Sequence, residues 1–308
     1  MHFLQSTAWQ SFQKQLGRKT FRQSGKGWEY LAILEVGTKN TRLYCPYGPY
    51  AENRRAFEEA MESLIALGHR HNVTFVRVEP TEPEYAEYIQ AHGGHRVTYQ
   101  SLNPEFSRVI NLQIPEDELI ARMAQPVRNC YRNYQKKGVK VMSSTDPLKI
   151  DMLTQLLREV SARTGMRPHD DNYFWAQATS LFPTGAATLW YATYQDKPIA
   201  AALMYNDNTT RYYAHAAASS LPEYRKLNAG AALVAEAIVD AKRQGLSYFD
   251  LYGIAPDGSS PYHPWAGFTK FKRSFGGEDV TFGGSWDISL QPVEYWLYRI
   301  YQTVRRYF

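Results

Sequence analysis

One lysine stands where a lysine is out of place. In His263–Gly277, HPWAGFTKFKRSFGG, the side chains of Trp265, Phe268, Phe271 and Phe275 form one apolar stripe on a helix advancing about 100° per residue, and Lys272 falls inside it. Lys270 and Arg273 point elsewhere. Such an ammonium either snorkels to the rim of the apolar surface or serves a polar cavity, and the helix alone leaves both open. A second candidate is Asp250 in YFDLYG. Strand alternation puts it on one face with Tyr248 and Tyr252, with Phe249 and Leu251 on the other. A carboxylate between two phenols is either a structural hydrogen-bond network or a base or amine anchor. Position favours function, because the loop Gly253–Tyr262 leads from this strand into the helix of Lys272, so both could border one cleft.

Other groups are less pointed. Arg225–Ala231, RKLNAGA, lies between a strand and a helix, as does the R-x-x-G-x-G/A loop with which GNAT acetyltransferases hold a pyrophosphate on helix-start N–H groups. Asn228 replaces the middle glycine, and a plain glycine-assisted helix start is the competing reading. Arg128, Arg132 and Lys136 recur every four residues beside Leu119, Met123, Val127, Tyr131 and Tyr134. They form a solvated face or, with Lys137 and Lys140, a salt-sensitive tRNA or phosphate contact. Lone histidines such as His95 and His215 read first as structural residues. Serine-hydrolase, Walker-type and zinc motifs do not occur, so no metal site is expected. Cys45 and Cys130 lie far apart without ligand spacing, which argues against a disulfide framework and for the interior of a cell.

The elements that must position these groups come in two series. A chain of 308 residues with 44% hydrophobic content suggests two domains with real cores. Strands are expected at Trp28–Val36, Arg42–Cys45, Val73–Val78 and Arg96–Tyr99, with helices at 52–70 and 83–91. The order then restarts with a strand at Val109–Ile114 and a helix over 116–137, re-initiated at Pro126. A strand at 138–142 and two helices follow, the first capped by Asp146 and stopped by Gly165. Three strands (187–194, 198–205, 210–215), a helix over 230–244, the strand Tyr248–Tyr252, the Lys272 helix, a strand near 280–282 and a final helix from Val293 complete the series. The net charge of +5 fits an anionic partner. The opening MHFLQSTAWQ lacks a signal-peptide pattern and no run reaches the ~18 apolar residues of a span, so neither secretion by that route nor embedding is expected. The terminal EYWLYRIYQTVRRYF is aromatic and basic; it is expected to pack on the first domain, with a membrane surface as the alternative.

YFDLYGIAP followed by HPWAGFTKFKRSFGG, then a strand and GGSWDISL, resembles the Fem family of tRNA-dependent aminoacyltransferases that build peptidoglycan cross-bridges. FLQSTAWQSFQKQLG and VINLQIPEDELIARMAQPVRNCYRNYQKKGVKV are similar to that family's start and domain junction. The resemblance implies an α/β (α+β) fold of two tandem GNAT-like domains, 1–105 plus 285–308 and 106–284, in the compact form without an inserted helical hairpin. It implies a transferase of peptidoglycan biosynthesis, serving cell-wall biogenesis and cell shape. An amino acid would pass from aminoacyl-tRNA to an amine of the stem peptide of a UDP- or lipid-linked precursor. No cofactor is implied beyond the aminoacyl-tRNA co-substrate, and the place is the cytoplasm, with peripheral contact at the inner membrane face left open. The matching position makes Lys272 the cation that stabilises developing charge, with Phe271 beside it, and Asp250 is expected to position the amine. The family's phosphate grip maps to Lys14 and to Arg167 or, in the frame of Tyr173 and Phe174, His169; Tyr173, His215 and Tyr252 complete the expected substrate contacts. The rival expectations are an acyl-CoA-dependent GNAT N-acyltransferase, motivated by RKLNAGA, and a noncatalytic member binding lipid or RNA.

Overall fold

A computed structural model describes residues 1–37, 40–98 and 102–307, with side chains to residue 304 at the far end. The chain runs α1 (Thr7–Gln15), β1 (Lys19–Gly25), β2 (Trp28–Val36), β3 (Thr41–Cys45), β4 (Tyr50–Ala51), α2 (Arg54–Arg70), β5 (Phe75–Val78), α3 (Glu84–Ala91) and β6 (His95–Arg96). It continues with β7 (Phe106–Asn111), α4 (Glu116–Arg122), α5 (Gln125–Asn133), β8 (Val139–Ser144), α6 (Asp151–Thr164), α7 (Asp171–Leu181), β9 (Ala187–Tyr194), β10 (Lys197–Asn206) and β11 (Thr210–Ala218). The remaining elements are α8 (Pro222–Arg225), α9 (Ala229–Arg243), β12 (Tyr248–Gly253), α10 (Ala266–Arg273), β13 (Glu278–Thr281), β14 (Trp286–Ser289) and α11 (Pro292–Tyr307). Tyr99, expected to end a strand, lies outside the described residues.

Two compact units result, one of residues 1–105 and 281–308, the other of residues 106–280. The first holds a sheet ordered β1-β2-β3-β5-β14-β6, with β4 pairing β2. The second holds β13-β7-β12-β11-β10-β9-β8. Each contains the same kernel: an antiparallel pair, then a helical crossover to a parallel strand, β2-β3-α2-β5 in one and β10-β11-α9-β12 in the other.

In the first unit α2 starts where Asn53 accepts the Ala56 N–H (3.1 Å) and lays Phe57, Met61 and Leu64 against the sheet. The unexpected strand β14 threads between β5 and β6. Its Asp287 faces Arg77 of β5 in register, and the two form a fully buried pair (2.7 and 2.9 Å), with the Tyr295 hydroxyl donating to the same carboxylate (3.2 Å). Tyr298 of α11 stacks on Phe75 and Tyr295 packs against it at a tilt, so the last helix docks on the first unit's sheet.

In the second unit α9 buries an alanine-rich face with Leu233 and Ile238 against one side of the sheet, together with Leu119, Met123 and Val127 from α4 and α5. The helical stretch breaks before Pro126, as the ring requires, and Arg128 donates to the carbonyls of Ala121 and Met123, capping the turn left open. That use of Arg128 removes it from any solvated basic ladder. No helix of this unit exceeds 15 residues, so no long hairpin is inserted.

Candidate active site

The centre of interest is the place where β12 ends and α10 begins to cover it. Phe249 and Leu251 point into the α9 core, so alternation turns Asp250 to the opposite face of the sheet, where it is buried. The alternation then fails. Pairing with β7 shifts register between Asp250 and Gly253, and Tyr252 takes a left-handed conformation (φ +61°). The expected carboxylate between two phenols is therefore replaced by something tighter. Asp250 Oδ1 accepts the Tyr252 backbone N–H (2.7 Å) and the Ser107 hydroxyl of β7. Both bonds fall on one oxygen, leaving Oδ2 without a hydrogen bond among the described residues. Burial pushes the Asp250 carboxyl above its ordinary value, opposed by Ser107, the Tyr252 N–H and the charge of Lys272.

Helix α10 is shorter than expected, opening at Ala266 rather than Pro264. Only half of the aromatic stripe, Phe271 and Phe275, is turned to the core. Phe268 is 61% exposed and Trp265 37%, whereas Thr269 (7%) and Phe275 (0%) are buried. At 100° per residue, Lys272 lies midway between Thr269 and Phe275, at the centre of the face the helix turns inward. Two bonds tie that face to the strand end: the Ala255 N–H donates to Thr269 Oγ1 (2.8 Å) and Lys272 Nζ donates to the Gly253 carbonyl (2.7 Å). Phe271 packs against the unit's core and meets Phe275 edge to face at 5.0 Å. Burial pulls the Lys272 ammonium down to about 8, and Asp250 restrains the fall. An ammonium has three donors and one is used here, so two can turn to a ligand.

The neighbouring cations have other duties. Arg273 is held by Asp257 (3.0 Å) and Asp279, and Arg108 joins Asp279 (2.7 Å), while Lys270 is exposed. The glycines closing the block are dictated by contact. A Cβ on Gly277 would stand 2.4 Å from the Val109 carbonyl, and its φ of +82° disfavours any side chain.

His169, Tyr173 and His215 do come together, on the same unit. His169 stacks on Tyr173 (4.0 Å between centroids) and stands edge-on to His215 (5.8 Å). The His215 Nε2 meets the Tyr205 hydroxyl at 3.2 Å, and buried Gln177 donates to that hydroxyl (3.0 Å). Burial, with His169 alongside, pushes His215 down to about 3, so it is neutral at physiological pH. Tyr205, Tyr212 and Asp250 occupy matching positions on adjacent strands, which ranges the aromatic cluster and the carboxylate along one face of the sheet. Arg167 is exposed before α7, and Lys14 is exposed in the last turn of α1, in the first unit. Ser107, Thr269, Tyr205 and Gln177 were not legible beforehand, because each is an ordinary polar residue whose partner is distant in sequence. Asn228 sits at the start of α9 in the left-handed conformation (φ +52°) that a glycine would take there. Among the described residues no cluster of His, Cys, Asp or Glu could hold a metal, and both cysteines are free and buried.

Residues 121–264 match the family model of the acetyltransferase (GNAT) domain. The crystal structure of FemX superposes with a TM-score of 0.84 at 16% identity, over 96% of this chain and 94% of that one. L-PGS from Bacillus licheniformis gives 0.58 at 13% identity, over 95% of each chain. A tandem GNAT protein from the clavulanic acid biosynthesis pathway gives 0.51 at 13% identity, over 87% of this chain and 81% of that one. No curated protein sequence matches the chain. At such identities the likeness is one of fold. The chain is built of two tandem GNAT-like units, as expected, and in the arrangement of elements found in FemX.

Proposed function

We propose that the protein is a Fem-type aminoacyltransferase, moving an amino acid from aminoacyl-tRNA to an amine of the stem peptide of a peptidoglycan precursor. The observation that carries this is the half-buried Lys272 ammonium, held at the end of β12 with two donors unspent and coupled in charge to Asp250. The FemX-like fold and the GNAT-domain match support the same class of acyl transfer.

In such a reaction a neutral amine attacks the ester carbonyl that joins amino acid to ribose. Negative charge gathers on the carbonyl oxygen and then on the departing ribose oxygen. A preorganised cation in a partly dry site lowers the energy of both. With a value near 8, Lys272 is about nine-tenths protonated at pH 7, so the cation is present when needed. Asp250 Oδ2 is the acceptor that would orient the incoming amine, and Tyr252 flanks it. An acceptor ammonium of ordinary pKa, about 10.4 for a lysine-like amine, loses its proton before attack, to a base or through the substrate itself. The Tyr173, His169 and His215 cluster supplies aromatic and neutral imidazole surface for the substrate's body. Arg167, exposed on the second unit, would meet precursor phosphates, whether UDP- or lipid-linked, and the resemblance offers Lys14 of the first unit for the same role. The cytoplasm is the compartment that supplies charged tRNA.

Incubation with a mixture of charged tRNAs and muropeptide precursors, read by mass shift, tests the reading. An aminoacylated precursor is expected from the wild type and none from Lys272→Met; unchanged turnover by the variant would sink the mechanism. The second reading, acyl-CoA-dependent N-acylation, rests on the Asn228 turn opening α9. Tight CoA binding with no response to charged tRNA would decide for it.

A further inference from the structure

Helix α11 has two apolar faces, one buried and one exposed. Tyr295 and Tyr298 are buried against the first unit's sheet. Val293, Trp296, Leu297, Ile300, Tyr301 and Val304 are all exposed, Trp296 by 63% and Leu297 by 56%. Their spacing of three, one, three, one and three makes a continuous stripe, centred opposite the docked tyrosines. An uninterrupted stripe of six large apolar side chains is more than the scattered exposure of a monomer's surface.

We propose that this face lies in the surface of an anionic lipid bilayer. Three observations favour lipid over a second copy of the chain. The stripe pairs aliphatic side chains with Trp296 and Tyr301, whose rings are at home between hydrocarbon and headgroups. The helix carries three arginines, Arg299, Arg305 and Arg306, against one acid, Glu294, on a chain of net charge +5. A lipid phosphate complements that charge, and an identical helix repels it. Arg299 also borders an open groove with His95 and Arg96, in which Glu87 is the opposing charge. Finally, the stripe is about 17 Å long at 1.5 Å per residue, and its six side chains, 41–69% exposed, offer several hundred Å² of accessible surface at most. A stable protein interface needs about 800 Å² from each partner, whereas lipid insertion has no such minimum. The helix is not long and apolar enough to cross a membrane, so it lies along the surface.

The inference rests on α11 alone and stands apart from the transfer chemistry. Co-sedimentation of the full chain with phosphatidylcholine vesicles, with and without phosphatidylglycerol, tests it. The wild type should bind the anionic vesicles, less so at high salt, and Lys272→Met should bind equally. The triple variant Trp296→Ser, Leu297→Ser, Ile300→Ser should lose at least about tenfold in affinity while its melting temperature is unchanged. Absence of wild-type binding, or equal binding by the triple variant, overturns the proposal. A wild-type dimer that the triple variant converts to monomer, without lipid binding by either, overturns it in favour of self-association.

Discussion

Replacing Lys272 by methionine is expected to move activity and stability in opposite directions. Methionine keeps the apolar stem and removes the ammonium. Loss of one preorganised charged donor at a developing oxyanion costs about 10²- to 10³-fold in turnover. Stability should go the other way. The folded state pulls the Lys272 ammonium from 10.5 to about 8. At about 1.4 kcal/mol per unit this corresponds to roughly 3 kcal/mol by which the protonated lysine disfavours folding below pH 8. Methionine escapes that cost but forfeits the bond to the Gly253 carbonyl, about 1 kcal/mol, and leaves Asp250 without its cation. A net gain of about 1–2 kcal/mol at pH 7 is expected. The sign can be checked by pH. Between about 8 and 10.5 the unfolded lysine holds its proton and the folded one does not, so wild-type stability rises through that window and the gap to the variant closes. Urea unfolding of both proteins at pH 7 and pH 10.5 reads this directly. A variant less stable than wild type at pH 7, by a margin that does not change with pH, would show that Lys272 is not a desolvated ammonium.

Three further outcomes are expected. Asp250→Asn should weaken transfer about 10- to 100-fold, and should move the alkaline limb of the pH profile below pH 8, because the carboxylate is what restrains the fall of Lys272. Steady-state rates across pH check both. Asp287→Asn in the first unit strips the charge partner from buried Arg77 and should cost about 3–5 kcal/mol in denaturant unfolding. Gly277→Ala places a methyl 2.4 Å from the Val109 carbonyl on a left-handed backbone and should destabilise by more than about 1 kcal/mol, seen as a lowered melting temperature.

Most elements were legible because their signals are local. Asp146 caps its helical turn with its own side chain, and Pro126 breaks the ladder wherever it stands. Strand β1, KTFRQSG, was missed because a half-buried hairpin arm needs few apolar residues. Strand β14 was missed because its four residues are defined by neighbours some two hundred positions upstream. Asp250 and Lys272 could be singled out from residue type and place. Their partners could not. Ser107 is 143 residues from Asp250, and no pattern in the chain joins them.

The lysine's inward direction illustrates the division. By itself the amino-acid sequence determined that α10 would carry a cation on its apolar side, since helical periodicity is a property of consecutive residues. Tertiary structure decided which side is apolar in effect. Phe268 and Trp265, at the helix start, are left in solvent, and the inward face became Thr269, Lys272 and Phe275, because the end of β12 presents a free carbonyl at Gly253 and an N–H at Ala255 that only polar side chains can meet.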